Sequence, residues 1–338
     1  MSDKILEIND FMSMEEPGDP FIIRMHHIDY YPKANGNLGI REEDKRVNNK
    51  GEDFDLSKEW KMYYGKDVPG FPSHPHRGFE TVTVVLQGFV DHSDSDKATG
   101  RYGAGDVQWM TAGSGMQHAE MFPLLNDNEE NTMELFQIWL NLPAKDKFVD
   151  PSYKMLWEED IPKIEEVNDD GSKATISIIA GCYNGINSLD PTKNSWANNR
   201  NNNVGIWTIH MEPGSSFTLP SISSTLNRNL YLYRGGHIII DDEKIEFPKS
   251  LKLVGDKEIK VLNGNKESYL VLLEGEPINE PVIAMGPFVM NTKEEIMEAY
   301  KDYRETQFGG WPWDRNDPVN PKEKGRFAKY SENNIEIR

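Results

Sequence analysis

Gly70-Phe71-Pro72-Ser73-His74-Pro75-His76-Arg77-Gly78-Phe79-Glu80-Thr81-Val82-Thr83-Val84-Val85-Leu86 is the stretch that decides how this chain folds. Within it His74 and His76 stand two residues apart, and His118-Ala119-Glu120 repeats that spacing further on. Side chains two apart on a strand point to one face, so neighbouring strands carrying these pairs aim three imidazoles and one carboxylate at one point. The spacing predicts a metal site. Taken singly, each histidine reads as an ordinary surface or core residue. The two pairs together outweigh that reading, because neutral imidazole is the commonest metal ligand and an adjacent carboxylate completes a cation site.

The flanking sequence supports strands. Glu80 to Leu86 is a β-branched run ended by Gly88, and Gly105-Asp106 is a turn signal leading into Val107-Gln108-Trp109-Met110-Thr111. Gly113 and Gly115 let the backbone turn or bulge before Met116-Gln117-His118, and Pro75, which cannot donate to a ladder, belongs at a strand start or edge. Residues 21 to 31 read as an early strand. Residues 32 to 66 form a charged insertion with an aromatic patch from Trp60 to Tyr64, packed on the domain or serving as a lid. Strands and turns continue from Gly70 to Pro143 and close with Leu135-Phe136-Gln137-Ile138-Trp139-Leu140-Asn141-Leu142. Residues 144 to 172 read as a connector.

A chain of 338 residues suits two domains, each with its own core. With 37 basic and 56 acidic residues the net charge is −19, which opposes phosphate-driven binding of nucleic acid. Cys182 is the only cysteine, so no intramolecular disulfide can form, and it reads as a small residue in or near a strand rather than a nucleophile. The acidic N-terminus is unlike a targeting peptide, and no apolar run approaches the roughly 20 residues of a membrane span. The expectation is a soluble cytoplasmic protein, or a nuclear one in a eukaryote, without a membrane or nucleic-acid partner.

The second half repeats the first. Asn229-Leu230-Tyr231-Leu232-Tyr233-Arg234-Gly235 parallels Val82-Thr83-Val84-Val85-Leu86-Gln87-Gly88, an internal duplication. Matching Gly88 with Gly235 puts Ser221 opposite His74, Ser223 opposite His76 and Asn227 opposite Glu80, so the second copy lacks the imidazoles. His210 and His237 have no partner at strand spacing and read as structural. Asn198 to Asn203 is a loop by composition. Thr292-Lys293-Glu294-Glu295 is a capping-box signature, and Ile296, Tyr300 and Tyr303 give a helical stripe ended at Gly309-Gly310. Trp311-Pro312-Trp313 reads as packed, with exposure for partner binding as the alternative, and the tail beyond it as frayed.

The stretch quoted above, with Gly105-Asp106-Val107-Gln108-Trp109-Met110-Thr111-Ala112-Gly113-Ser114-Gly115-Met116-Gln117-His118-Ala119-Glu120, resembles the pirin family. Gly275-Glu276-Pro277 and Gly286-Pro287-Phe288-Val289-Met290-Asn291-Thr292 are similar to that family's C-terminal signature. The likeness covers residues 70 to about 165 well and 225 to 309 moderately, while the insertion at 32 to 66 and the long tail depart from it. It implies an all-β bicupin of two antiparallel jelly-roll barrels with a short C-terminal helix. Residues 1–150 would be the metal-binding N-terminal cupin. Residues 151–338 would be a linker and a C-terminal cupin lacking metal ligands. The family's ligand positions fall on His74, His76, His118 and Glu120, the four residues already selected by spacing. Glu80 shares the strand parity of His74 and His76, so it is expected to face the interior and orient the ligands.

Three nitrogens and a carboxylate leave open positions on an octahedral cation. The resemblance favours iron (Fe2+/Fe3+), with Ni, Cu, Mn and Zn as alternatives. It implies a quercetin 2,3-dioxygenase-like activity on a flavonol and O2, with Glu120 as catalytic base and Phe79, Trp109 or Met110 lining room for a flat ring. The alternative it carries is an iron-dependent, redox-sensing binding protein that modulates transcription regulators or metabolic enzymes. In a third reading the metal merely stabilises the barrel.

Overall fold

The β-branched run is a central strand, Phe79–Gln87, in a computed structural model that describes residues 2–47, 54, 55 and 57–338. Residues 48–53 and 56 of the charged insertion lie outside the described residues. Phe79–Gln87 pairs with Val107–Thr111 on one side and Asn131–Asn141 on the other. Ser152–Leu156 extends the sheet beyond Val107–Thr111, and Phe21–Tyr31 lies beyond Asn131–Asn141. A second antiparallel sheet runs in the order Asn334–Ile337, Phe327–Ser331, Thr99–Gly103, Phe89–Asp94, Met116–Met121, Gly70–His76. Gly70–His76 is its edge strand, which is why Pro75 costs no ladder hydrogen bond. Val85, Val90, Tyr102, Leu135 and Trp157 form one apolar core of this unit, against which Trp60, Met62 and Tyr63 of the insertion are buried. The aromatic patch is therefore packed; Tyr64 alone is well exposed.

The other unit has the same construction. A seven-stranded antiparallel sheet is built around Asn227–Gly235, flanked by Lys249–Leu253 and Ser268–Gly275, with a four-stranded companion that starts at Ser216–Leu219. Alternate residues Trp207, Ile209, Leu230, Leu232, Leu270 and Leu272 fill its core, the period of two expected of a half-buried strand. Asn227–Gly235 thus has two strand neighbours as Phe79–Gln87 does, and the duplication holds at the level of topology. The loop histidine counterparts do not: Ser221 and Ser223 fall after the strand Ser216–Leu219 ends.

The chain is not divided simply at residue 150. One compact unit holds residues 23–158 and 280–338, the other residues 1–22 and 159–279. Two strand additions explain this. Ile5–Asp10 pairs with Lys249–Leu253, and Phe327–Ser331 pairs with Thr99–Gly103. The connector also holds strands: Ser152–Leu156 joins the first unit, and Lys163–Val167 pairs with Lys173–Ala180 in the second. The tail is a hairpin on a sheet edge rather than frayed. Trp313 is half-buried and donates its indole N–H to the Asp94 carbonyl at 2.8 Å. The helix Lys293–Thr306 starts at a complete capping box between Thr292 and Glu295, buries Ile296 and Ala299, and gives way to a short turn, Gln307–Gly309. No helix among the described residues is long and apolar enough to cross a membrane.

Candidate metal centre

The two spaced pairs meet because Gly70–His76 and Met116–Met121 are neighbours, with His74 directly opposite His118. Opposed residues of an antiparallel pair share a face, and the His74 and His118 rings lie 4.4 Å apart between centroids, with His76 4.9 Å from each. A register shift between Phe71 and His74 lets the edge strand bring both its histidines to this face. Candidate ligand atoms of His74, His76 and His118 all lie within 4.8 Å of one another, the one such cluster among the described residues. Glu120 stands beside this group rather than within it, its Oε2 3.7 Å from His118 Nε2.

Tautomers follow from hydrogen bonds. Nδ1 of His74 donates to the Pro72 carbonyl at 2.9 Å, and Nδ1 of His76 more weakly to that of Pro287 at 3.4 Å, so each presents Nε2 as its lone pair. Burial holds all three imidazoles below the ordinary histidine pKa, which keeps those lone pairs free of protons. His76 Nε2 and both nitrogens of His118 are buried with no hydrogen-bond partner among the described residues. Leaving such atoms unpaired is costly, and a cation at their meeting point relieves it. Three neutral nitrogens and one carboxylate suit a divalent transition metal, so the residues fit the group the sequence predicts.

Glu120 is held from behind. Thr83 donates to Oε1 at 3.2 Å and Gln137 to Oε2 at 2.8 Å, and Gln137 in turn accepts from the Trp139 indole at 3.1 Å. Phe79 and Trp139 pack with ring centroids 4.3 Å apart and planes tilted by 35°, and both lie within 5.5 Å of the His76 ring.

Glu80 does not face the histidines. Its Oε2 accepts from Trp109 Nε1 at 2.8 Å and from Thr111 Oγ1 at 2.9 Å, on the side of the sheet opposite to Thr83. Parity fails to carry from His76 to Glu80 because the chain changes sheets at Arg77-Gly78. Gly78 has φ +86°, and a side chain there would meet the Val289 carbonyl at 2.0 Å. Trp109 is consequently also turned from the site, and Met110 is buried with Ala112 and Met116. Of the three proposed ring-lining residues, Phe79 packs against the His76 ring at 5.1 Å, and Met110 pairs with Thr81 on the sheet face that Thr83 shares.

His92 and Asp94 were missed as a pair, although they too are two apart on a strand, Phe89–Asp94. His92 pairs with Glu120 and Asp94 with His118 across the ladder. His92 Nε2 lies 3.1 Å from Asp94 Oδ2, its ring stacks on Tyr153, and its Nδ1 is another buried nitrogen without a partner among the described residues. In the other unit His210 stacks on Tyr269, apart from any comparable cluster among the described residues.

A cluster of imidazoles in one of two duplicated β-units defines a bicupin with a single candidate metal centre among the described residues. The sequence pattern of the family called Pirin matches residues 43–140, and that of the Pirin C-terminal cupin domain matches residues 206–309. The chain belongs to the pirin family. It is 42% identical over 238 residues to a "Pirin-like protein" of Solanum lycopersicum, covering 70% of this chain and 75% of that one. It is 38% identical to "Pirin" of Homo sapiens, covering 71% and 78%. Identity is 36% to a Pseudomonas aeruginosa protein named "Putative quercetin 2,3-dioxygenase", covering 71% and 79%. The crystal structure of a quercetin 2,3-dioxygenase from Acinetobacter baumannii superposes with a TM-score of 0.69 at 27% identity, covering 91% of this chain and 98% of that one.

Proposed function

We propose that this chain binds one transition metal, iron in preference to Ni, Cu, Mn or Zn, on His74, His76, His118 and Glu120, and oxygenates a flavonol such as quercetin with O2. The observation that carries the reading is the convergence of buried imidazole nitrogens, three of them without a hydrogen-bond partner among the described residues, beside a carboxylate. Relatives named for that dioxygenase activity support the choice of substrate. When bound, the metal supplies Lewis acidity toward adjacent hydroxyl and keto oxygens and an electron path to O2.

The chain's own part lies in positioning and in one proton. Trp139, packed on the buried Phe79, sets an indole beside His76 as apolar surface for an aromatic ring. Glu120 takes the proton of the substrate hydroxyl, within the roughly 2.6–3.2 Å reach this requires. Thr83 and Gln137 hold its carboxylate for that step. Protein loaded with iron should consume O2 and bleach quercetin absorbance together. If it does neither, the enzyme reading fails, and a metal-dependent binding protein acting on regulators becomes the better account.

A further inference from the structure

The unit without the histidine cluster has a cavity of its own, about 470 Å³, within the range of small-molecule sites. Its wall includes Cys182, Leu189, Val204, Gly205, Ile222 and Glu274. Glu274 is only 2% exposed, and burial raises its pKa against the pull of Arg228. Its Oε2 accepts from Arg228 Nε at 2.6 Å, while Oε1 has no partner among the described residues. Arg228 is committed elsewhere as well, donating Nη2 to the Pro220 carbonyl at 2.9 Å. Gly205 lies directly across the ladder from Glu274, and a β-carbon on it would stand 2.7 Å from Glu274 Cγ and 3.0 Å from Oε1. The missing side chain keeps open the space in front of the unpaired oxygen.

Register places this feature in the duplication. Arg228 pairs with Glu274 as Thr81 pairs with Trp139, and Gly88 matched to Gly235 makes Arg228 the counterpart of Thr81. Trp139 walls the histidine cluster in its unit; Glu274 occupies its counterpart position here. The duplicated barrel has thus exchanged an apolar wall for a carboxylate that can accept a hydrogen bond.

We infer that this cavity is a second ligand site, taking a neutral polyhydroxylated molecule of monosaccharide size. Glu274 lines the cavity and its Oε1 takes no hydrogen bond from the described residues, so a ligand hydroxyl can donate to it in place of water. The charges in and under the wall are paired, Glu274 with Arg228 and Asp190 with Arg200, so the site offers no unbalanced charge for an ionic ligand. The remaining polar lining is rich in amides, including Asn187, Asn198 and Asn203, which serve hydroxyls as donors and acceptors, and Leu189, Val204 and Ile222 offer apolar surface to C–H faces.

The test uses the full chain with myo-inositol and D-glucose as probes, read by saturation-transfer NMR and by the alkylation rate of Cys182, the only cysteine, with iodoacetamide. At least one polyol should bind and slow Cys182 alkylation, with affinity unchanged by His74→Ala with His76→Ala, which separates this site from the metal centre. Glu274→Gln should weaken binding at least tenfold. Because that variant disturbs a buried ion pair, Ile222→Trp, at an exposed rim position, provides a second one that should also lose binding at least tenfold while remaining folded. Absence of binding by both polyols, binding unaltered in Ile222→Trp, or binding of ethanolamine in place of the polyols overturns the inference.

Discussion

If the proposed oxygenation holds, Glu120 is the residue at which binding and chemistry separate. A carboxylate can release a cation and accept a proton, which an imidazole ligand cannot readily do together. Glu120→Gln should therefore retain most of the metal and lose flavonol oxygenation by ~10²-fold or more, measured as kcat in metal-matched samples. Glu80→Gln should leave kcat nearly unaltered and act on folding, since its partners are Trp109 and Thr111. A second residue-scale expectation concerns pH. His27 is buried against Tyr63, and burial lowers its pKa from 6.5 to about 3. Below pH 6.5 the unfolded chain takes a proton that the folded one refuses, so this group withdraws stability as pH falls toward 3. Asp29, raised from 3.8 to about 6 by burial, has the opposite sign: its unfolded form ionises first, so stability is withdrawn as pH rises from 3.8 to 6. His27→Asn should flatten the acid loss of stability and Asp29→Asn should steepen it, as read from urea midpoints across pH 4–6. The histidine pairs were legible because strand spacing alone brings such residues together. Glu80 was misread because a change of sheet at Gly78 leaves no mark in a parity count.

At the scale of elements, local chemistry was legible and partnership was not. The capping box at Thr292 and the strand Val107–Thr111 follow from a few adjacent residues. Thr292→Ala should cost about 1 kcal/mol, a fall of roughly 2–4 °C in the unfolding temperature of the unit that carries the helix. The tail hairpin depends on residues far away. Phe327–Ser331 covers the edge strand Thr99–Gly103, and Glu336 accepts from the Trp157 indole at 2.6 Å. Nothing in the polar sequence of 314–338 announces an edge more than two hundred residues upstream, which is why it read as frayed. A chain ending at Gly325 should unfold at lower temperature and scatter light on heating, because it exposes the buried Phe327 site and an unpaired strand edge. An unaltered transition would mean that the hairpin is ornamental.

For the molecule as a whole, the duplication and the histidine count together set the stoichiometry. Asn227–Gly235 repeats the neighbours of Phe79–Gln87, but the second unit places Arg228 and Glu274 where the first has Thr81 and Trp139, and its serine counterparts to the ligands lie in a loop. One metal per chain is expected, and His74→Ala with His76→Ala should abolish it; two equivalents by elemental analysis, or retention in that variant, would refute the ligand set. Removing the metal should leave the protein folded. The ligands stand on strands whose units already bury extensive apolar cores, unlike a small metal domain whose folding energy is its metal-binding energy. Loss of the cation returns the histidine nitrogens to a buried, partnerless state, so stability should fall, yet a local loss of this kind is small beside the cooperative packing of the sheets. Circular dichroism after chelation should keep its β signal while the thermal midpoint drops. Collapse of the β signal would instead make the metal a structural element and leave the oxygenase reading without its main physical support.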